Sequence, residues 1–489
     1  MPHKDIRRNV WDQLRQKDLR AFDALLPAEL VLQAARAALV PAGTGTLHLL
    51  NLVWLSISCA LHSLETFKEV LDHTIKLVED GPHYHRSALD RARTAPRPIG
   101  PRRCHDPRPH DPGSVTEEAF AQARQRLPQR FWIVLIVLLT ERFLAQHDAR
   151  TRFQGFRLLC LDGTCLNLAN WKALRNHFGT VSNGKGRRKV QARLVMLQLP
   201  LVRLPWRYEL VPITEGERTV ATRLLGHLRA NDLVLMDRGF FSYGLFWQVK
   251  RAQADFAVRA MAGVKFTTVE TLSDGTRLVD WTPSDRQWRK ADLPGTIRLR
   301  VIDYQIKGFR PSSIVTSVLD PNRIDYQAWV GMALVDETGR MLRGAGLYHR
   351  RWEIETSYFE LKELQGLERS LRGRTPETIG FEVAGHVLLY LLVRWLMVEA
   401  AAAAGEDPLR LSFSGALGEV LALAPSLVLS SPRRASGVLV PRLLSRMASH
   451  FVPLRPDRHY PRPHDTKVKN KGKGKQQLPS KLASTDVAA

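Results

Sequence analysis

The sequence predicts a mixed α/β chain: helices first, then alternating strands and helices, then a strand-rich segment, then helices again. Three observations carry this. Residues 1–90 hold stretches of helical periodicity, LRAFDALLPAELVLQAARAAL and TFKEVLDHTIKLVED. From Phe156 the texture changes to short apolar runs, FRLLCLDGTCLNL, KVQARLVMLQLPLV, RYELVPI and DLVLMDRGFF, with GERTVATRLLGHL and SYGLFWQVKRA as helices among them. From Asp255 the runs DFAVRAM, KFTTVETL, IRLRVIDYQIK and SSIVTSVL carry almost no helical pattern.

Taken in order, residues 1–90 form a helical N-terminal region, and 91–113, dense in Pro, Arg and His, a linker. Ser114 and Glu117 are spaced as a capping box opening a helical segment over 114–150. Residues 151–254 carry the alternating block, 255–338 a β-rich insertion, and 339–405 a helix around Glu355 followed by the long apolar ETIGFEVAGHVLLYLLVRWLMVEAAAA. Residues 406–452 read as a C-terminal helical region, and 453–489, with KVKNKGKGKQQ, as a disordered basic tail.

Three apolar stretches, Leu47–Leu61, Phe131–Thr140 and Val383–Val398, read as buried core helices; two are short for a membrane span and His386 and Arg394 interrupt the third. The N-terminus has no apolar signal core. Cys59, Cys104, Cys160 and Cys165 are too few and scattered for a disulfide scaffold, and Cys104, His105 and His110 do not complete a zinc pattern. A reducing, bacterial-type cytoplasm is the expected compartment, without membrane association. The 489 residues carry a formal net charge of +24. A surplus of that size spread along a globular chain points to a polyanionic partner, and double-stranded DNA is the leading one.

The run YHRRWEIETSYFELKELQ places Tyr348, Arg351, Glu355 and Lys362 at offsets of three, four and seven. On one helix they would share a sector of roughly 60°, with Leu347, Ile354, Tyr358 and Leu361 on a neighbouring, core-facing sector. A carboxylate can hold a divalent cation, and the other three groups can grip phosphate oxygens. An ordinary amphipathic helix with surface ion pairs would look the same. Asp162 and Asp237, in strand-like settings, are the carboxylates that tip the reading. Three carboxylates gathered without a metal repel one another. Two Mg²⁺ or Mn²⁺ ions relieve that repulsion and suit in-line chemistry at phosphorus. Arg238 is a further phosphate-contact candidate, or simply a surface arginine after a strand.

The Tyr-x2-Arg-x3-Glu-x6-Lys spacing, DGT at Asp162, DRGF at Asp237 and RWEIE before Glu355 resemble the insertion-sequence-four family of bacterial DDE transposases over residues 115–400. The resemblance implies a ribonuclease-H-like catalytic domain with a β-rich insertion. It makes Asp162, Asp237 and Glu355 the metal-binding catalytic triad and Tyr348, Arg351 and Lys362 the DNA contacts. It also implies cleavage at terminal inverted repeats, 3′-end joining to target DNA and a homodimer that synapses two ends. The rival readings are an inactive, regulatory DNA-binding relative and a two-metal nuclease that does not join ends. In hairpin-forming members a tryptophan precedes a Thr-Ser pair in the insertion; here Ser312 and Ser313 precede Thr316 and Ser317, leaving Trp281, Trp288 or Trp329 as substitutes.

Overall fold

The computed structural model describes residues 25–41, 49–63, 117–182, 188–283, 293–305, 311–331, 346–428 and 438–452, with a few isolated residues between. The linker at 91–113, Cys104, His105, His110, Ser114, Trp288, most of TFKEVLDHTIKLVED and the tail from 453 lie outside the described residues. Four helices come first: α1 (Ala28–Ala38), α2 (Leu49–Leu61), α3 (Glu117–Arg124) and α4 (Gln129–His147). The middle of the chain holds β1 (Phe156–Leu168), β2 (Arg188–Leu199), β3 (Leu204–Pro212), α5 (Glu217–Leu225), β4 (Asp232–Met236), α6 (Tyr243–Arg251) and β5 (Asp255–Arg259). β6 (Thr267–Thr271), β7 (Arg277–Trp281), β8 (Ile297–Tyr304) and β9 (Ser312–Thr316) follow. The chain then enters α7 (Trp352–Phe359), α8 (Pro376–Ala404), α9 (Phe413–Val428) and α10 (Val440–Ala448).

The expected αβ texture is present as one eleven-stranded mixed sheet. Its main order is β3-β2-β1-β4-β5-β9-β8-β7-β6. β1, β2 and β3 form an antiparallel meander, because short loops join them. β4 and β5 each follow or precede a helix and run parallel to β1. The strands from β6 to β9 continue this sheet through β9 against β5, so the β-rich stretch shares its hydrogen bonds with the block before it.

α8 is the one helix among the described residues long and apolar enough to cross a membrane. Here it is buried along nearly its whole length, as expected from its interrupting charges. Thr375 caps it, its hydroxyl receiving the Thr378 N–H, and Pro376 occupies the first turn. α2 and α4 pack on it, and their apolar faces join the sheet in one hydrophobic cluster. Arg124 on α3 donates to Glu382 at 3.0 Å, so a buried charge of α8 docks the N-terminal helices.

His386, the second polar interruption, is fully enclosed. Gln365 Nε2 donates to its Nδ1 at 3.0 Å, and Ser370 Oγ sits 2.6 Å from its Nε2 while donating to Leu367 O at 2.9 Å. That chain fixes the neutral tautomer with the proton on Nε2. Burial pushes the imidazole down to about 3, from an ordinary 6.5. A depressed folded value means stability that is whole above 6.5 and lost as pH falls towards 3, by about 1.4 kcal/mol per unit. Urea melts of the wild type between pH 6 and 4 are expected to be steeper in pH than those of His386→Gln by that amount; equal slopes would refute it.

Candidate active site

Asp162 lies within β1 and Asp237 directly follows β4. The two strands are parallel neighbours, with Leu161 facing Met236, so the aspartates emerge side by side. The register is locked below them. Arg157 faces Asp232 five residues upstream of each aspartate, and the buried pair is bidentate at 2.7 and 2.8 Å. Slipping β4 by one residue would unpair both charges in an apolar interior.

The segment carrying Glu355 is not one regular helix. It is a 3₁₀ turn over Leu347–Arg351, α7, then a π-turn over Glu360–Leu364. The single-face geometry expected for Tyr348, Arg351, Glu355 and Lys362 is therefore corrected: each pitch change re-aims a side chain at a different strand. Tyr348 donates to Met236 O at 2.8 Å, just before Asp237. Tyr358 donates to Asp162 O at 2.7 Å and accepts from Met196 N at 3.1 Å, bridging residues that face each other across β1 and β2. Lys362 donates to Cys165 O at 3.0 Å and pairs with Glu368 at 3.0 Å. The segment is thus stitched to both aspartate strands. Tyr358, expected only to pack, holds Asp162; its signal was a phenol in a row of aliphatic side chains.

Arg351 is buried among the acids and donates to Glu355 at 3.0 Å. Burial opposes its charge, yet Tyr348, Asp237 and Glu355 together hold it above the ordinary arginine range. Burial pushes the Asp162 carboxyl up to about 6; Gly163 N–H, at 2.8 Å, and Arg351 pull it down, while Glu355 and Glu217 push it up. Burial raises the Tyr348 phenol as well. Arg238 is exposed at the start of the turn after β4.

The donor set suits a hard divalent cation, since these side chains offer only carboxylate oxygens. A cation beside Asp162 would also remove the cost of ionising a buried carboxyl. As placed, the acids do not close on one point: among the described residues no group of three or more His, Cys, Asp or Glu is set to hold a single ion. Arg351 supplies the positive charge between them instead.

The tryptophan substitutes are committed elsewhere. Trp281 packs on Phe241, Tyr243 and Phe246, and Trp329 is fully buried. Thr316 and Ser317 hold the sheet, donating to Phe256 O and to Asp255, each at 2.7 Å.

The sequence profile of the family described as Transposase DDE domain matches residues 154–392. Over 256 residues the chain is 29% identical to "Transposase InsG for insertion sequence element IS4" of Escherichia coli (strain K12), covering 50% of this chain and 53% of that protein. The chain thus spans about half the length of this curated relative. Among solved structures, a piggyBac transposase synaptic complex with hairpin DNA covers 90% of this chain at 9% identity, with a TM-score of 0.38, too low to bear on the fold. All three acids and the whole Tyr348–Lys362 signature fall inside the matched segment, and residues 154–392 are a transposase DDE domain of the insertion-sequence-four type.

Proposed function

We propose that this chain is a DNA transposase that cuts at the terminal inverted repeats of its element and joins the 3′ ends to target DNA. The observation that carries the reading is the meeting of Asp162, Asp237 and Glu355, from β1, β4 and α7, around one buried arginine within the matched domain. The order β3-β2-β1-β4-β5, with an antiparallel first half and parallel second half, supports a ribonuclease-H-like core. The β-rich stretch over 255–338 is then its insertion, and the helices before Phe156 flank it.

Asp162, Asp237 and Glu355 would hold two Mg²⁺ or Mn²⁺ ions. Such ions supply activation of the attacking oxygen and neutralisation of the leaving oxygen. The chain's own residues do the positioning. Tyr348 and Tyr358 fix the backbone before Asp237 and at Asp162. Arg351 balances the acids and, once they are otherwise neutralised, offers a fork-shaped donor to a phosphate. Lys362 and exposed Arg238 extend the contact along the DNA. The partners are transposon-end and target double-stranded DNA, bound by a homodimer in a bacterial cytoplasm; the +24 charge fits them.

The test is strand transfer with the element's flanking inverted-repeat DNA, in Mg²⁺ and in EDTA, for wild type and Glu355→Gln. Metal-dependent joined product, lost in the variant, is expected. Cleavage without joining would make the chain a nuclease, binding with neither product an inactive or regulatory DNA-binding protein, and joining untouched by Glu355→Gln would remove Glu355 from the site.

A further inference from the structure

A fourth carboxylate stands at this site, outside the Asp162, Asp237 and Glu355 set. Glu217 opens α5, and its side chain lies over the backbone of Gly163, the residue after Asp162. A Cβ at Gly163 would sit 3.1 Å from Glu217 Oε1 and 3.3 Å from its Cδ. Glycine here is thus a matter of space: its bare backbone is the seat of the Glu217 carboxylate. The charge of Glu217 reaches Asp162 and Tyr358, which bond to each other, so it belongs to the same electrostatic neighbourhood.

Its own partner is a poor one. Arg193, on β2 opposite Cys165, approaches Glu217 only to 3.7 Å. The Arg193 Nε is buried without a hydrogen-bond partner, although the carboxylate stands beside it. An arginine that neither closes its ion pair nor satisfies its buried nitrogen leaves the Glu217 oxygens available on the Asp162 side. The charge count points the same way. Four acids, Asp162, Asp237, Glu355 and Glu217, face two arginines, Arg351 and Arg193, while Lys362 is paired with Glu368. The surplus is negative, on the flank of Asp162 away from Arg351's partner Glu355.

We infer that Glu217 is a positioning carboxylate of the divalent-cation site, holding the ion at Asp162 from the α5 side, directly or through a water, with Gly163 kept bare to admit it. The inference rests on the transposase reading above.

The experiment is Mn²⁺ titration of the full-length protein by calorimetry and by electron paramagnetic resonance, without DNA, for wild type, Asp162→Asn, Glu217→Gln and Gly163→Ala. Melting temperatures in EDTA are recorded alongside. Glu217→Gln is expected to weaken Mn²⁺ binding about tenfold or more, the size of loss usual for a group that supports a metal ligand. Its metal-free melting temperature should hold or rise, since a repulsive charge has gone. Gly163→Ala, which unseats the carboxylate without removing it, should weaken binding in the same direction. Unchanged Mn²⁺ affinity in Glu217→Gln, with affinity lost in Asp162→Asn, would overturn the role of Glu217 alone. Affinity unchanged in Asp162→Asn as well, or no Mn²⁺ bound by wild type, would overturn the metal-site reading and Glu217 with it. A fall in metal-free melting temperature with unchanged affinity would make Glu217 an ordinary first-turn acid of α5.

Discussion

Asp162→Asn is expected to abolish metal-dependent DNA cleavage and, in the same protein, to raise the melting temperature measured without metal. The two effects share one cause. Burial and the charges of Glu355 and Glu217 lift the Asp162 carboxyl from an ordinary 3.8 to about 6. A raised folded value means that stability is fully present below about 4 and is lost as pH rises through 6. At pH 7.5 the ionised carboxylate therefore works against the fold by about 2–3 kcal/mol. Asparagine has nearly the same shape and keeps an oxygen for the Gly163 N–H, but it carries no charge to repel. A cation removes the same repulsion, so Mn²⁺ should stabilise wild type and not the variant. Mutating a group that merely supports a ligand costs about 10–100-fold, so losing a direct ligand should cost more than 100-fold in cleavage rate. DNA binding should persist, because phosphate contacts are made by other side chains. Melting curves with EDTA and with Mn²⁺, together with a nicking assay, check both halves. A variant that nicks DNA at the wild-type rate, or that melts earlier than wild type in EDTA, would show that Asp162 is not a strained acid awaiting a cation.

What was legible in the sequence was local. Alternation in FRLLCLDGTCLNL and the apolar run DLVLM place Asp162 in one strand and Asp237 at the end of another, because a period of two and a sudden polar residue are visible without neighbours. His386 and Arg394 were legible as obstacles to a membrane span. Pairing was not legible. Nothing in the sequence says that β4 lies beside β1, yet that neighbourhood, pinned by Arg157 and Asp232, is what brings the aspartates together. RLVDW was too short and too charged to read as a strand, although it is β7, where Arg298 of β8 pairs with Asp280 and the charges face solvent. The pitch of the Glu355 segment was equally hidden. The spacing of Tyr348, Arg351, Glu355 and Lys362 fits an unbroken α-helix, and only the distances to β1 and β4 force the tightening before α7 and the widening after it. Glu217 escaped because an acid in the first turn of an amphipathic helix is unremarkable; its meaning lies in a glycine more than fifty residues away.

Arg394→Leu is expected to destabilise the protein by about 3–5 kcal/mol, and Glu360→Leu in the same background to recover most of it. Arg394 is fully buried in the middle of α8. Its guanidinium pairs with Glu360, the first residue of the π-turn, and donates to Tyr390 Oη at 3.3 Å, while Tyr390 donates to Glu360 at 2.7 Å. Arg203, from the β2–β3 turn, donates to Glu360 at 2.9 Å and to Glu353 at 2.7 Å. Burial opposes the charge on Glu360, but Arg394, Arg203 and the Tyr390 hydroxyl hold its carboxyl below the usual range. Removing Arg394 alone leaves an ionised carboxylate in an apolar interior with half its partners, which is the costly case. Removing both charges exchanges the pair for packing, while Arg203 keeps Glu353. The expected signature is thus a large positive coupling in a double-mutant cycle read by urea unfolding. Additive losses would mean that the two side chains stabilise independently, and that the charge in α8 does not hold the catalytic segment. Coupling would mean that it does. Glu360 lies five residues beyond Glu355, at the point where the helix changes pitch. On that account the arginine that disqualifies α8 as a membrane span is the anchor that sets where Glu355 meets the two aspartates.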